Sequence, residues 1–210
     1  MPAIPDVKAP YTVKPLHIVL TVLFGAFCLY SGFTTPDLNN WLLENLLTLS
    51  LIIFLVAFYN IFRFTNLSYT LIFLFLLLHV YGSQYQYDQN PFGEWLRERF
   101  DLSRNHYDRF VHLGFGLLLA YPMHDLFTRG FKIKWPYNYF LPVEITLSLS
   151  ALYELLEWFV ADIVFNENEQ GMAFLGMQGD IWDAQKDMGL AFAGAAFTMT
   201  LTYLLHKRSR

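Results

Sequence analysis

Charge is scarce in this chain. Asp, Glu, Lys and Arg make up only 15% of 210 residues, against about 25% in an ordinary soluble domain. So few ionic groups cannot coat a globule of this size in hydrated charge. Cysteine is nearly absent: Cys28 stands alone in an apolar run. That excludes an intrachain disulfide, a CxxC pair and a zinc-finger spacing. The net charge is −4, so nothing points to nucleic acid as a partner. Internal repeats, low-complexity tracts and a Pro/Gly linker are also missing, which leaves a single domain. What is abundant is apolar: 55% hydrophobic residues, 19% aromatics and 21 Phe. The solvent of much of this chain is lipid.

A membrane-spanning helix needs about 20 mostly apolar residues. Six runs qualify, at about 16–33, 41–59, 67–81, 110–126, 140–165 and 188–205. The expectation is therefore an all-α, polytopic membrane bundle of about six helices. The first run follows Lys8 and Lys14 as a signal peptide would, but no small-x-small cleavage site precedes Pro36. It reads as a retained span. The long polar connections, 82–109 and 166–187, carry Tyr85, Tyr87, Phe92, Trp95, Phe100, Phe174 and Trp182. Such aromatics predict segments that fold back on the bundle or lie at the membrane interface.

Lys and Arg set the orientation. With six helices, Lys8, Lys14, Arg63, Arg129, Lys132, Lys134, Lys207, Arg208 and Arg210 fall on one side. That side is expected to be the cytoplasm, with both termini inside. Acids gather opposite: Asp37, Glu44, Asp88, Glu94, Glu98, Asp101, Glu167 and Glu169 belong to the outward connections.

Polar residues also intrude on the helices, and they do so in stripes. Asp108 and His112 are four apart at the outward start of the fourth helix. Glu154 and Glu157, in YELLEW, are three apart in the fifth. Asp180, Asp183 and Asp187 are spaced by three and four at the start of the sixth. Each spacing shares one helical face. His79 lies near the outward end of the third helix. Four helices thus bring carboxylates or imidazoles to one depth, while the first two read as packing and lipid shielding.

An ionised carboxylate in the bilayer costs at least about 2.5–3.5 kcal/mol. These acids must face inward and be compensated. Arg104, Arg109 and Lys186 can pair with them, some can stay protonated, or a divalent metal can take the charge. Helix bundles build metal sites from such His and carboxylate stripes. His79, Asp108, His112, Glu154, Glu157, Asp183 and Asp187 are the candidate ligands. Mixed O/N donors suit Zn²⁺, Mn²⁺ or non-haem iron. Glu154, Glu157 and Asp187 are candidate acid/base groups, although HExxH and the di-iron EExxH repeat are absent. Arg104, Arg109 and His106 are candidate holders of an anionic headgroup, because Arg offers bidentate phosphate contacts.

Plainer readings stand beside these. Asp183 and Asp187 also suit the positive end of a helix dipole, and Asp180 suits an N-cap. Arg109 with Glu154 or Asp187 also makes a buried ion pair. His79 can simply bond a backbone carbonyl, and His106 can be a loop residue. Gly189, Ala193, Gly194, Ala195 and Ala196 are small enough to let helices approach closely.

The runs RNHYDRFVH, HVYG (79–82), YELLEW and GMQGDIWDAQKDM (176–188) resemble the YjdF family of bacterial inner-membrane proteins. The resemblance covers roughly residues 79–196. It implies a multi-pass protein of the bacterial inner membrane and carries no activity with it. The D-R-x-x-H, E-x-x-E and D-x-x-x-D elements are also similar to VanZ-like membrane proteins, which are linked to glycopeptide-antibiotic resistance. Glu157 and Asp187 depart from the VanZ pattern, which tends to carry amides there; the site is correspondingly more acidic.

Three functions fit. The first is an intramembrane enzyme, a metal-dependent hydrolase or transferase acting on a lipid or lipid-linked envelope substrate. The second is an ion- or proton-coupled transporter, disfavoured by the few acids in the inner halves of the helices. The third is a structural or partner-binding protein whose polar cluster locks the bundle.

Overall fold

The computed structural model describes residues 14–165, 171 and 178–208, and within them every regular element is a helix. Seven α-helices are fully traced among the described residues, in order: α1 (Pro15–Thr34), α2 (Leu38–Phe58), α3 (Asn66–Gln84), α4 (Pro91–Phe100), α5 (Tyr107–Asp125), α6 (Tyr137–Trp158) and α7 (Asp183–Arg208). Two of them run on with wider i→i+5 bonding, α5 through Leu126–Gly130 and α6 through Phe159–Val164. Expectations that rest on Lys8, Glu167, Glu169, Phe174 and Arg210 lie outside the described residues.

Five of these helices are long and apolar enough to cross a membrane: α1, α2, α3, α5 with its extension, and α7. The chain is thus a polytopic helical membrane protein. The sixth expected span, α6, has 22 residues, or about 33 Å at 1.5 Å per residue. It includes Glu144, Glu154 and Glu157 and falls outside the five. Its buried face is polar and small: Asn138, Pro142, Thr146 and Ser150.

Helix starts carry the expected chemistry. Asp37 accepts from Asn40 N (3.0 Å) to cap α2, and Thr65 accepts from Ser68 N (3.1 Å) to cap α3. Asn90 caps α4 ahead of Pro91, a residue suited to the first turn because its missing N–H has no partner there anyway. The expected boundaries differ from the observed ones mainly at polar ends. α5 begins at Tyr107 and α7 at Asp183, so Asp108 and Asp183 lie in first turns, where acids favour the dipole.

The most extensive contact is between α5 and α7. Hydrocarbon gives no hydrophobic drive to helix pairing, so close backbone approach has to supply it. Gly116 and Gly194 permit that approach. A Cβ on Gly116 would lie 2.0 Å from Ala191 O, and one on Gly194 would lie 2.6 Å from Leu113 O. Ala120, Ala191 and Ala195, all with no exposed area, continue the seam. Gly189 has open space around it and Ala193 is exposed, so only part of the expected small-residue stripe is used. Polar bonds tie other helices: Trp41 Nε1 donates to Ser31 Oγ (2.9 Å) and Asn45 Nδ2 to Ser83 Oγ (2.9 Å).

The connection 82–109 folds back as expected. Tyr87 and Tyr107 enter the bundle beside Val111. The short helix α4 buries Gly93 and exposes Phe92, Trp95 and Phe100, the disposition of an interfacial segment. Asn105 knits this connection to the start of α7. Its side chain donates to Asn90 O (3.0 Å), and its backbone exchanges two 3.0 Å bonds with the Gln178 amide.

Candidate functional site

The ends of α2 (start), α3 (end), α5 (start), α6 (end) and α7 (start) carry the polar cluster, built in two layers. The outer layer is an ion-pair lattice. Arg104, buried, donates to Asp183. Arg109 donates to Asp180 and, at 3.1 Å, to Asp183. Lys186 Nζ reaches Asp180 Oδ2 at 2.6 Å. Asp180 Oδ1 also accepts from Trp182 N (3.1 Å), so it caps the turn before α7 rather than α7 itself. These bonds hold the Asp180 carboxyl far below its ordinary value of 3.8, Lys186 first among the causes. His106 Nδ1 accepts from Arg109 Nη1 at 3.1 Å. Burial, with the charges of Arg109 and Arg104, lowers its pKa below the usual 6.5.

Asp183, one of the candidate ligands, pairs with two guanidinium groups. Arg104 and Arg109 were expected to hold a headgroup; both are engaged by aspartates. One partner of a buried pair cannot be withdrawn cheaply, since the other is left buried and uncompensated at a cost of about 3–5 kcal/mol. These three residues frame the inner layer.

The inner layer is different. Asp108, His112 and Asp187 each offer one ligand atom, and the three atoms lie within 4.8 Å of one another. His112 Nε2 stands 3.6 Å from Asp108 Oδ1 and 3.4 Å from Glu154 Oε1. On the other ring edge, Nδ1 meets Ser150 Oγ at 3.4 Å. Asp187 Oδ1 and Glu154 Oε1 are buried and have no hydrogen-bond partner among the described residues. The spacing is informative. Metal–ligand bonds of about 2.0–2.2 Å put neighbouring ligand atoms about 3.0–3.6 Å apart; the Asp108–His112 contact of 3.6 Å lies at the upper end of that range, wider than a good hydrogen bond. Glu157 lies beside Glu154 and Tyr153, one step behind the group.

His79 stands apart. Its Nε2 is 3.2 Å from the Glu44 carbonyl oxygen, which can only accept, so Nε2 carries the proton. Nδ1 then accepts from the Tyr87 hydroxyl at 2.6 Å. Both ring nitrogens are occupied, which matches the plainer reading of this residue rather than a ligand. Burial raises the Tyr87 pKa well above 10, so its hydroxyl keeps the donated proton.

Glu44 is the cluster residue that sequence reasoning missed. It sits on α2, is 4% exposed, and accepts from the Tyr153 hydroxyl at 2.9 Å. α2 is thus more than lipid shielding. A lone acid inside WLLENLL was the available signal, but its partners are on α3 and α6. Beneath the cluster is a cavity of about 320 Å³ between α2, α3, α5 and α6. Asp108, His112, His79, Tyr87 and Ser150 line its polar end; Thr48 and Tyr153 add two hydroxyl-bearing side chains, and the rest is Leu, Phe, Val and Met.

A family model described as a predicted membrane protein, DUF2238, matches residues 16–208. The chain belongs to this family. It is similar to the inner membrane protein YjdF of Escherichia coli (strain K12), with 34% identity over 199 residues, covering 94% of each chain. No solved structure matches. The YjdF resemblance is thereby upheld and extends over nearly the whole chain, while nothing supports the VanZ likeness.

Proposed function

We propose that this protein sits in the bacterial inner membrane, binds a divalent metal at Asp108, His112 and Asp187, and uses it on a lipid or lipid-linked envelope substrate. The inner-membrane placement follows the E. coli relative's printed description. The observation that carries the site is the gathering of three ligand atoms within 4.8 Å from α5 and α7. One imidazole and two carboxylates suit Zn²⁺, Mn²⁺ or Fe²⁺, and three protein ligands leave a coordination position for water or substrate, as catalytic sites do. With His112 Nε2 as the ligand atom, Nδ1–H donates to Ser150, the kind of outer partner that fixes a ligand's tautomer. A bound metal lowers the pKa of its water toward neutrality. Glu154, 3.4 Å from His112 Nε2, is placed to take the proton, with Glu157 behind it.

Transport finds less support. At the far end of α5, His124 bonds Asn138 O (2.8 Å) and Asp125 is taken by Thr65, Ser68 and Arg129. Between the two polar ends lie Phe115, Leu119 and Met123, which make poor steps for an ion. A purely structural role is favoured by one observation, the Arg104–Asp183–Arg109 lattice.

The test is metal content by mass spectrometry on detergent-purified protein. Wild type is expected to carry close to one equivalent of metal. His112→Ala and Asp187→Asn are expected to lose it at least about tenfold. Glu154→Gln retains metal if Glu154 is the base and loses it if it is a ligand. Stable wild type that takes up none of the three metals would sink the proposal in favour of the structural lock.

A further inference from the structure

The cavity below the polar cluster is a slot, and its shape is more specific than its volume. On α5 it runs from Asp108 to Met123, about 22 Å along the helix at 1.5 Å per residue. Its long axis therefore follows the spans. Its mouth is marked by exposure: Leu47 on α2 is 43% exposed, and Leu149, Leu152 and Leu156 on α6 are 43%, 51% and 42% exposed. The α6 leucines are spaced three and four apart, so they form one edge of the slot. Leu119, at its back, is only 7% exposed. The slot thus opens sideways, between α2 and α6, into what would be the hydrocarbon of the bilayer.

Water is a poor occupant. It needs two to four polar partners, and away from the polar end the walls are Leu, Phe and Met with the single hydroxyl of Thr48. The apolar molecule present at bulk concentration on the open side is lipid. Space of about 320 Å³ holds on the order of ten or more water- or methylene-sized groups. That suits one acyl chain and is far too small for a long polyprenyl chain. The polar end fits the same occupant, because a chain lying in the slot brings its ester and headgroup to Asp108 and His112.

We propose that this slot binds one acyl chain of a membrane glycerophospholipid, entered laterally between α2 and α6, with the headgroup end delivered to the Asp108–His112–Asp187 group. The inference deepens the proposed function, on which the meaning of the bound lipid as substrate rests. Chain binding itself is measured separately from metal.

The experiment uses the full-length protein in bilayer nanodiscs containing a phosphatidylglycerol with a photoreactive diazirine near the end of one acyl chain. After illumination, labelled residues are mapped by peptide mass spectrometry. Label is expected on Phe115, Leu119 or Met123 at the back of the slot, besides the ordinary label on lipid-facing Ile18, Val22 and Leu29 of α1. Filling the mouth with Leu47→Trp and Leu152→Trp is expected to cut the slot label about tenfold and leave the α1 label unchanged; the α1 label also reports that the variant is folded and inserted. Label confined to exposed faces, or slot label indifferent to the double variant, would overturn the proposal. So would displacement of the probe by a 55-carbon polyprenyl phosphate but not by unlabelled phosphatidylglycerol. Slot label that survives in a metal-free His112→Ala protein supports the chain site by itself. Absence of slot label in wild-type protein whose metal content is intact rejects the chain site and leaves the metal reading standing.

Discussion

At the scale of single residues, position within the two layers separates groups that look alike in sequence. Asp183 and Asp187 are four apart on one helix. Asp183 is taken by Arg104 and Arg109, whereas Asp187 has a buried oxygen without a partner among the described residues. His106 belongs to the outer layer and gives a pH prediction. Its neighbours are Arg109 and Arg104, which disfavour its charge, and Asp180 and Asp183, which favour it weakly. Its folded pKa is below the unfolded value of 6.5. As pH falls through 6.5 the unfolded chain gains a proton that the folded chain resists, so the neutral ring's contribution is complete above 6.5 and is lost below it. Thermal unfolding in detergent should therefore occur at lower temperature at pH 5.5 than at pH 7.5. His106→Gln should show a smaller drop, by on the order of a degree or two. An equal drop in both proteins would remove His106 from the account.

At the scale of elements, the seam between α5 and α7 holds the inner layer together, since Asp108 and His112 are on one helix and Asp187 on the other. Gly116→Leu should break it. The new Cβ alone meets Ala191 O and Ala195 N, which are backbone atoms and cannot swing away. Overpacking costs about 1–3 kcal/mol or more. The expected result is lower thermal stability and loss of bound metal, although no ligand has changed. Gly189→Leu, with open space at its Cβ, should do neither. The presence of the long helices was legible because apolar runs of about 20 residues have few other uses. Their starts were less so. Hydropathy cannot tell a polar first turn from a loop, which is why α5 and α7 begin three to five residues earlier than their apolar runs. The helix α4 lies inside a connection whose aromatics were noticed without its amphipathic face.

At the scale of the whole molecule, the distribution of cations bears on orientation. Lys14, Arg63, Arg129, Lys132, Lys134, Lys207 and Arg208 all fall at the end opposite the cluster. The positive-inside rule then directs the cluster outward. A reporter that fluoresces only in the cytoplasm should be active when fused after Arg210, and a periplasmic phosphatase should be active only when inserted at an exposed site between α3 and α5, such as after Glu98. The reverse pattern would turn the site to the cytoplasm and change its substrate class.

The sequence by itself determined that this is a helical membrane protein, where its apolar runs lie, and which helices carry acid and imidazole stripes. The physical reason is that lipid punishes every unneeded charge, so charged residues inside apolar runs are conspicuous. Only the tertiary structure decided which of them meet. Ligand pairing depends on distances between helices that are remote in the chain. Those distances placed Asp183 with arginines, left Asp187 beside His112, gave both nitrogens of His79 away and brought Glu44 in from α2. The slot beneath them has no sequence signature at all, because leucines that line a cavity and leucines that face lipid obey the same spacing.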